Sequence, residues 1–190
     1  MAKLYFKYGA MGSSKTASAL ITKFNYEERN MTVFLVKPAC DVRDGESVVS
    51  SRIGLSAECR AVSEEENLFE LFLENRADVI IADECQFFTR AQIDQLRKIV
   101  DELCVPVLCF GLRTDFKTEL FEGSRRLFEI ADSISEIKTI CSCGRKATVN
   151  ARILDGNIVT EGDKIMLGGD ERYLAMCHRC YRKRIGEETK

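Results

Sequence analysis

Gly9-Ala10-Met11-Gly12-Ser13-Ser14-Lys15-Thr16 decides how this chain is read. Residues 3–8, Lys-Leu-Tyr-Phe-Lys-Tyr, lead into it with a strand-like pattern, and residues 17–24, Ala-Ser-Ala-Leu-Ile-Thr-Lys-Phe, leave it with a helix-like one. A turn of small residues between strand and helix, closed by Lys-Thr, is the arrangement that cradles nucleotide phosphates. Its backbone N–H groups converge into an anion-binding nest, and the helix N-terminus adds unsatisfied donors and partial positive charge. In such a loop Lys15 reaches the β- and γ-phosphates, and the Thr16 hydroxyl holds Mg²⁺. One residue departs from the usual pattern: Ser14 stands where a glycine normally precedes the lysine. A Cβ there is costly if the backbone takes a positive φ.

Outward from this loop, the first helix is expected to run to about Asn30. Residues 31–36 form a continuous apolar run, suited to a strand of a sheet covered on both faces. Polar residues 39–52 read as a mobile loop, and residues 55–62 as an ambiguous short strand. Residues 64–75 read as a helix capped by Ser63, with Leu68, Leu71 and Phe72 on its apolar face. A third strand, residues 79–84, ends in Asp83-Glu84. Residues 89–103 place Ile93, Leu96, Ile99, Val100 and Leu103 at helical spacing. A strand at 105–110, a helix at 119–131 and a strand at 133–140 follow. Strands alternating with helices mean βαβ units and a parallel sheet. The expected fold class is α/β, a RecA-like P-loop parallel sheet flanked by helices. The pattern changes after Thr139 to short strand-like pieces, the stretch Leu167-Gly168-Gly169-Asp170, and a short charged helix after Cys180. The chain therefore divides into a nucleotide-binding domain, 1–139, and a small zinc-ribbon-like domain, 140–190.

An apolar strand ending in two acids supplies the second half of a phosphate site. Asp83 lies at the strand's C-terminal end, where ligands bind in open α/β sheets, and would hold Mg²⁺. Glu84 beside it can accept a proton from an attacking oxygen. If the attacker is water, the chain is an ATPase or nucleotide switch; if it is a substrate hydroxyl, the chain is a kinase. An ATPase would need an arginine finger, for which Arg113, Arg125 and Arg126 are the candidates.

The C-terminal part carries Cys141-Ser142-Cys143 and Cys177-His178-Arg179-Cys180, two knuckles whose four thiolates suit a closed, tetrahedral structural Zn²⁺ site. His178, the chain's only histidine, reads as a surface residue. The other five of the nine cysteines are scattered, and an odd total argues against a disulfide framework.

The bulk composition narrows the classes further. With 190 residues and 45% hydrophobic content, the chain can bury a proper core. A net charge of −2 leaves no basic footprint for nucleic acid, so no nucleic-acid partner is expected. No apolar run approaches the ~20 residues that span a bilayer, and the N-terminus lacks a signal-peptide pattern. Neither a membrane nor a secretory location is expected; the cytoplasm is.

Together these residues resemble the cellular (type II) thymidine kinase family over almost the whole chain. The likeness rests on the loop at residues 9–16, on Asp83-Glu84-Cys85-Gln86-Phe87-Phe88, on Gly111-Leu112-Arg113-Thr114-Asp115-Phe116, on both cysteine knuckles, and on Gly168-Gly169 followed by Tyr173. The resemblance implies transfer of the ATP γ-phosphate to the 5′-hydroxyl of thymidine, with Glu84 as base. It implies that Gly9, Ala10, Met11, Gly12, Ser13, Ser14, Lys15 and Thr16 bind ATP·Mg²⁺ with Asp83, Glu84, Cys85 and Gln86. Asp41 and Arg43 match a family pair near the phosphates, where Arg43 can stabilise charge on the transferring group. Met11, Phe87, Leu112, Phe116 and Phe121 match positions that enclose the thymine ring. A covering loop would bring Ile165, Met166, Leu167, Gly168 and Gly169, with Tyr173 beside it. The family also implies a homotetramer and feedback inhibition by thymidine triphosphate (dTTP).

Overall fold

In a computed structural model that describes residues 1–43, 45–162 and 173–186, the first part of the chain winds through eight strands. These are β1 (Leu4–Tyr8), β2 (Val33–Pro38), a hairpin of β3 (Val48–Ser50) and β4 (Ser56–Glu58), then β5 (Arg60–Val62), β6 (Val79–Ala82), β7 (Val107–Gly111) and β8 (Ser133–Glu136). Six of them form one sheet in the order β5-β2-β6-β7-β1-β8, parallel at every pairing. The helices are α1 (Lys15–Glu27), α2 (Leu68–Glu74), α3 (Arg90–Leu103) and α4 (Glu122–Ile130).

Side-chain alternation divides the core between the two faces of this sheet. Val79 and Ile81 of β6, with Leu108 and Phe110 of β7, pack against Ala19 and Leu20 of α1. Ile80 and Ala82, with Val107 and Cys109, pack with Phe72 of α2, with Ile93, Leu96, Ile99 and Val100 of α3, and with Leu127 of α4. Apolar runs rather than strict alternation are what a sheet covered on both sides requires. This is the α/β, P-loop sheet flanked by helices that the sequence led us to expect. Because β1 and β6 are parallel and separated only by β7, the loop after β1 and the acids after β6 open at the same edge.

Local chemistry moved several boundaries. The helix expected from residue 64 starts at Leu68. Asn67, in extended backbone, caps it by accepting hydrogen bonds from the Phe69 and Glu70 amides at 2.9 and 3.2 Å. Ser63 belongs to a separate turn, its amide donating to Glu66 Oε2 at 2.7 Å. The stretch expected as loop through residue 52 contains β3, which pairs antiparallel with β4; residues 55–62 are two strands, in different sheets. α4 starts three residues late, because Asp115 Oδ1 accepts from the Lys117 and Glu119 amides at 2.9 and 3.0 Å and folds that segment into a turn. α3 keeps its expected bounds to within a residue, with Thr89 and Gln92 forming a reciprocal capping box.

Beyond residue 140, β9 (Val149–Leu154), β10 (Asn157–Val159) and β11 (Tyr173–Met176) make an antiparallel sheet in the order β10-β9-β11. α5 (His178–Arg184) begins inside the second cysteine knuckle, not after it, because Cys177 is already its N-cap. Ala147, Val149, Ala151, Met176 and Tyr181 form a separate apolar cluster with Cys141 and Cys177. No helix among the described residues is long and apolar enough to cross a membrane.

Candidate active site

The loop after β1 folds back on itself. The Ser13 amide donates to the Ala10 carbonyl, and the Gly9 amide to Gly111 O, each at 3.2 Å. Gly12 and Ser14 both have positive φ, +70° and +61°. The seat that the sequence marked as glycine-demanding is left-handed, and a serine occupies it. Lys15 is buried; its Nζ donates to the Ala10 carbonyl at 2.9 Å. Burial lowers its pKa, against the opposing charges of Glu84 and Asp83.

Asp83 and Glu84 follow β6 directly. Asp83 is 3% exposed, and its amide donates to Val36 O at 3.0 Å. Burial, then the charge of Glu84, pushes its carboxyl up to about 7, while a hydrogen bond from the Thr16 side chain pulls the other way. A hydroxyl and a carboxylate side by side are hard oxygen donors of the kind Mg²⁺ takes, and a cation there relieves the repulsion between the two acids. Glu84 sits at φ +48°, a left-handed position rare for a side chain of its kind. Arg43 Nη2 lies 2.6 Å from Glu84 Oε1, and Gln86 Nε2 donates to Oε2 at 2.5 Å. Burial works against its ionisation, yet the charges of Arg43 and Lys15 and the bonds from Arg43 and Gln86 hold Glu84 below the ordinary carboxylate range. Arg43 also donates from Nε to Asp41 Oδ1 at 2.6 Å, so one guanidinium ties Asp41 to Glu84.

These groups line a cleft of about 270 Å³. Met11, Gly12, Ser14, Lys15, Thr16, Asp41, Arg43, Asp83, Glu84 and Leu112 all face it, and residues 49–53 of the β3–β4 hairpin close one side. The sequence brought no attention to that hairpin.

The four cysteines of the two knuckles converge, with all four Sγ atoms within 4.8 Å of one another. Cys143 and Cys177 Sγ are 3.6 Å apart. Zn–S bonds of about 2.3 Å in a tetrahedron put sulfurs roughly 3.8 Å apart, so the donor set fits zinc. His178 is exposed and outside the cluster.

A sequence-family profile for thymidine kinase matches residues 2–181. The chain belongs to the thymidine kinase family. A thymidine kinase of Enterococcus faecalis is 46% identical over 193 residues, covering 99% of this chain and 100% of that one. One of Vibrio vulnificus is 45% identical over 192 residues, covering 98% and 100%. A crystal structure of Bacteroides Pif1 bound to ssDNA aligns at 18% identity and a TM-score of 0.41, over 71% of this chain and 38% of that one, too slight a likeness to carry weight.

Within this thymidine kinase-family chain, the residues expected around a thymine ring are divided. Met11 and Leu112 face the cleft. Phe87 and Phe121 meet edge to face at 5.5 Å. Phe116 is buried beneath the Arg152 guanidinium, 3.7 Å from its ring centre, and Arg152 donates to the Tyr173 hydroxyl from Nη2 at 2.8 Å. Ile165, Met166, Leu167, Gly168 and Gly169 lie outside the described residues. Cys85 is buried against Cys109, turned into the core.

Sequence reasoning passed over three residues that hold the site. Lys37, 1% exposed, donates to the Gly45 and Val48 carbonyls at 2.7 and 2.8 Å, fastening the stretch after Arg43 to β2. A lysine within an otherwise apolar run was its only signal. Asn150 on β9 accepts from the Met11 amide at 2.8 Å and donates to Thr114 O at 2.9 Å, so the C-terminal sheet touches the phosphate loop. Arg152 is the third. Neither β9 residue has a local signature.

Proposed function

We propose that this chain phosphorylates thymidine, moving the γ-phosphoryl group of ATP to the nucleoside 5′-hydroxyl. The observation that carries the reading is Glu84: a carboxylate fixed on both oxygens, in one cleft with the phosphate-loop lysine, in a chain of the thymidine kinase family. The 5′-oxygen attacks phosphorus, forming an O5′–P bond as the bond to the β-phosphate oxygen breaks; ADP leaves, and the 5′-hydroxyl proton passes to Glu84. The Lys15 ammonium and the backbone donors of residues 9–16 hold the triphosphate, and Arg43 offsets charge on the transferring group. Thr16 and Asp83 would hold Mg²⁺, which neutralises phosphate charge when bound. Cys141, Cys143, Cys177 and Cys180 would hold a structural Zn²⁺ with no part in the chemistry. Met11, Leu112, Phe87, Phe116 and Phe121 form the base-side wall in this reading, with Tyr173.

The same reading divides the chain into a nucleotide-binding domain, 1–139, and a zinc domain, 140–190, and takes the protein to be a cytoplasmic homotetramer inhibited by dTTP. The separate apolar cluster around Val149 and Tyr181 supports the division.

The deciding experiment follows the label of [γ-³²P]ATP. Label on thymidine monophosphate is expected. Label released only as inorganic phosphate, at a rate indifferent to thymidine, would overturn the proposal in favour of water activation by Glu84. Sedimentation of the zinc-loaded protein and titration with dTTP test the assembly and the feedback.

A further inference from the structure

Among the described residues two donors hold Glu84, and one of them is a charge. The other, Gln86, is 2% exposed and spans two parts of the site. Its Oε1 accepts from the Leu112 amide at 2.9 Å, and its Nε2 donates to Glu84 Oε2 at 2.5 Å. The orientation of the side-chain amide follows from chemistry alone: a backbone N–H only donates, so it selects the oxygen, and the NH₂ is left for the carboxylate.

The surroundings reserve this position. A Cβ on Gly111 would stand 2.6 Å from Gln86 Oε1 and 2.6 Å from Cys85 Sγ, so no larger residue fits beside it. The Leu112 peptide is held from its other side as well, since Ser124 Oγ of α4 donates to Leu112 O at 2.5 Å. A continuous chain of hydrogen bonds thus runs from α4 through Leu112 and Gln86 to Glu84. Leu112 lines the same cleft as the carboxylate.

We propose that Gln86 is a positioning residue for phosphoryl transfer, tying the Glu84 carboxylate to the main chain of Leu112 so that Oε1 receives the substrate proton. Oε2 is committed to Gln86. Oε1 has two acceptor directions, so it takes the substrate hydroxyl while still bonded to Arg43. This gives Gln86 a role other than the ATP·Mg²⁺ contact expected from its motif. An amide does not ionise at neutral pH; what it supplies is direction. The same bridge sets the distance between the base and the cleft wall formed by Leu112, so nucleoside and base keep one geometry. The inference rests on the thymidine kinase reading given above.

The test is a double-mutant cycle on the zinc-loaded protein, with kcat and both KM values measured by label transfer to thymidine. Gln86→Met keeps the length and removes both hydrogen bonds. Gln86→Glu keeps the acceptor for the Leu112 amide and sets a second carboxyl against Glu84, where the pair must share a proton and Glu84 is no longer a free base. Each is expected to lower kcat about 10- to 100-fold, the scale of a misplaced reacting group, with both KM values within threefold of wild type. In a Glu84→Gln background, where the base is already gone, Gln86→Met should change residual turnover by less than twofold. Either of two results overturns the proposal: Gln86→Met turning over within threefold of wild type, or Gln86→Met costing as much without the base as with it. Wild-type protein that puts no label on thymidine sinks the substrate reading instead, which separates the two failures.

Discussion

Ser14→Gly tests the least orthodox residue of the phosphate loop. Ser14 lies at φ +61°, ψ +32°, just before α1, and its side chain makes no capping hydrogen bond. The side chain is exposed. What the backbone contributes survives the change: the Ser14 carbonyl accepts from the Ser18 amide and the Ser18 hydroxyl, both at 2.9 Å. A residue with a Cβ in the left-handed region costs about 1–2 kcal/mol. Glycine removes that cost but gives back roughly 0.5–1 kcal/mol through the greater freedom of its unfolded chain. The net expectation is a gain of about 0.5–1 kcal/mol. For a chain of this size that amounts to a Tm higher by about 1–4 °C. Thermal melts followed by circular dichroism, with urea midpoints in parallel, measure it on zinc-loaded protein without nucleotide. KM for ATP should stay within twofold, because the serine already sits in the geometry glycine would adopt. A Tm that falls, or fails to move while the urea midpoint also stays put, would refute the claim that this turn carries left-handed strain.

Other perturbations follow from the same geometry. Glu84→Gln should lower kcat by about 10²- to 10⁴-fold with ATP binding near normal by calorimetry; an unchanged kcat removes Glu84 as base. Cys177→Ser should abolish stoichiometric zinc by elemental analysis and raise KM for thymidine more than KM for ATP, and full zinc content would contradict the four-thiolate site. Asn150→Ala leaves the Met11 amide and the Thr114 carbonyl without their buried partner. It should cost about 2–4 kcal/mol in urea unfolding and raise KM for thymidine; a loss below 1 kcal/mol would show the bridge to be idle. Asp83 has its pKa raised from 3.8 to about 7, so between those values the folded chain keeps a proton that the unfolded chain has released. Its contribution to stability therefore falls as pH rises through that window, and Asp83→Asn should flatten that slope in metal-free urea titrations.

Much of this molecule is legible in short stretches. The phosphate loop is recognisable because strand, small-residue turn and Lys15-Thr16 are contiguous. α3 is recognisable because Ile93, Leu96 and Val100 repeat at the helical period. The boundaries of α2 were misplaced because Ser63 and Asn67 are both capable caps, and only packing chooses between them. The β3–β4 hairpin was missed because its strands are three residues each, too short for an alternating pattern to show; their pairing depends on partners rather than on intrinsic pattern.

The sequence by itself determined the sheet type, the small-residue loop that opens α1, the acidic pair, the four clustered cysteines and the family. Each of these is written in residues that are neighbours, or in a period that states which way a side chain faces. Only the tertiary structure decided what those side chains meet. It brought Arg43 and Gln86 to opposite oxygens of Glu84, buried Lys37 under the stretch that carries Arg43, and carried Asn150 across the fold to Met11. Periodicity reports the face a residue presents; its partner is fixed only when distant segments close on one another, and ordinary residue types give no advance sign of that meeting.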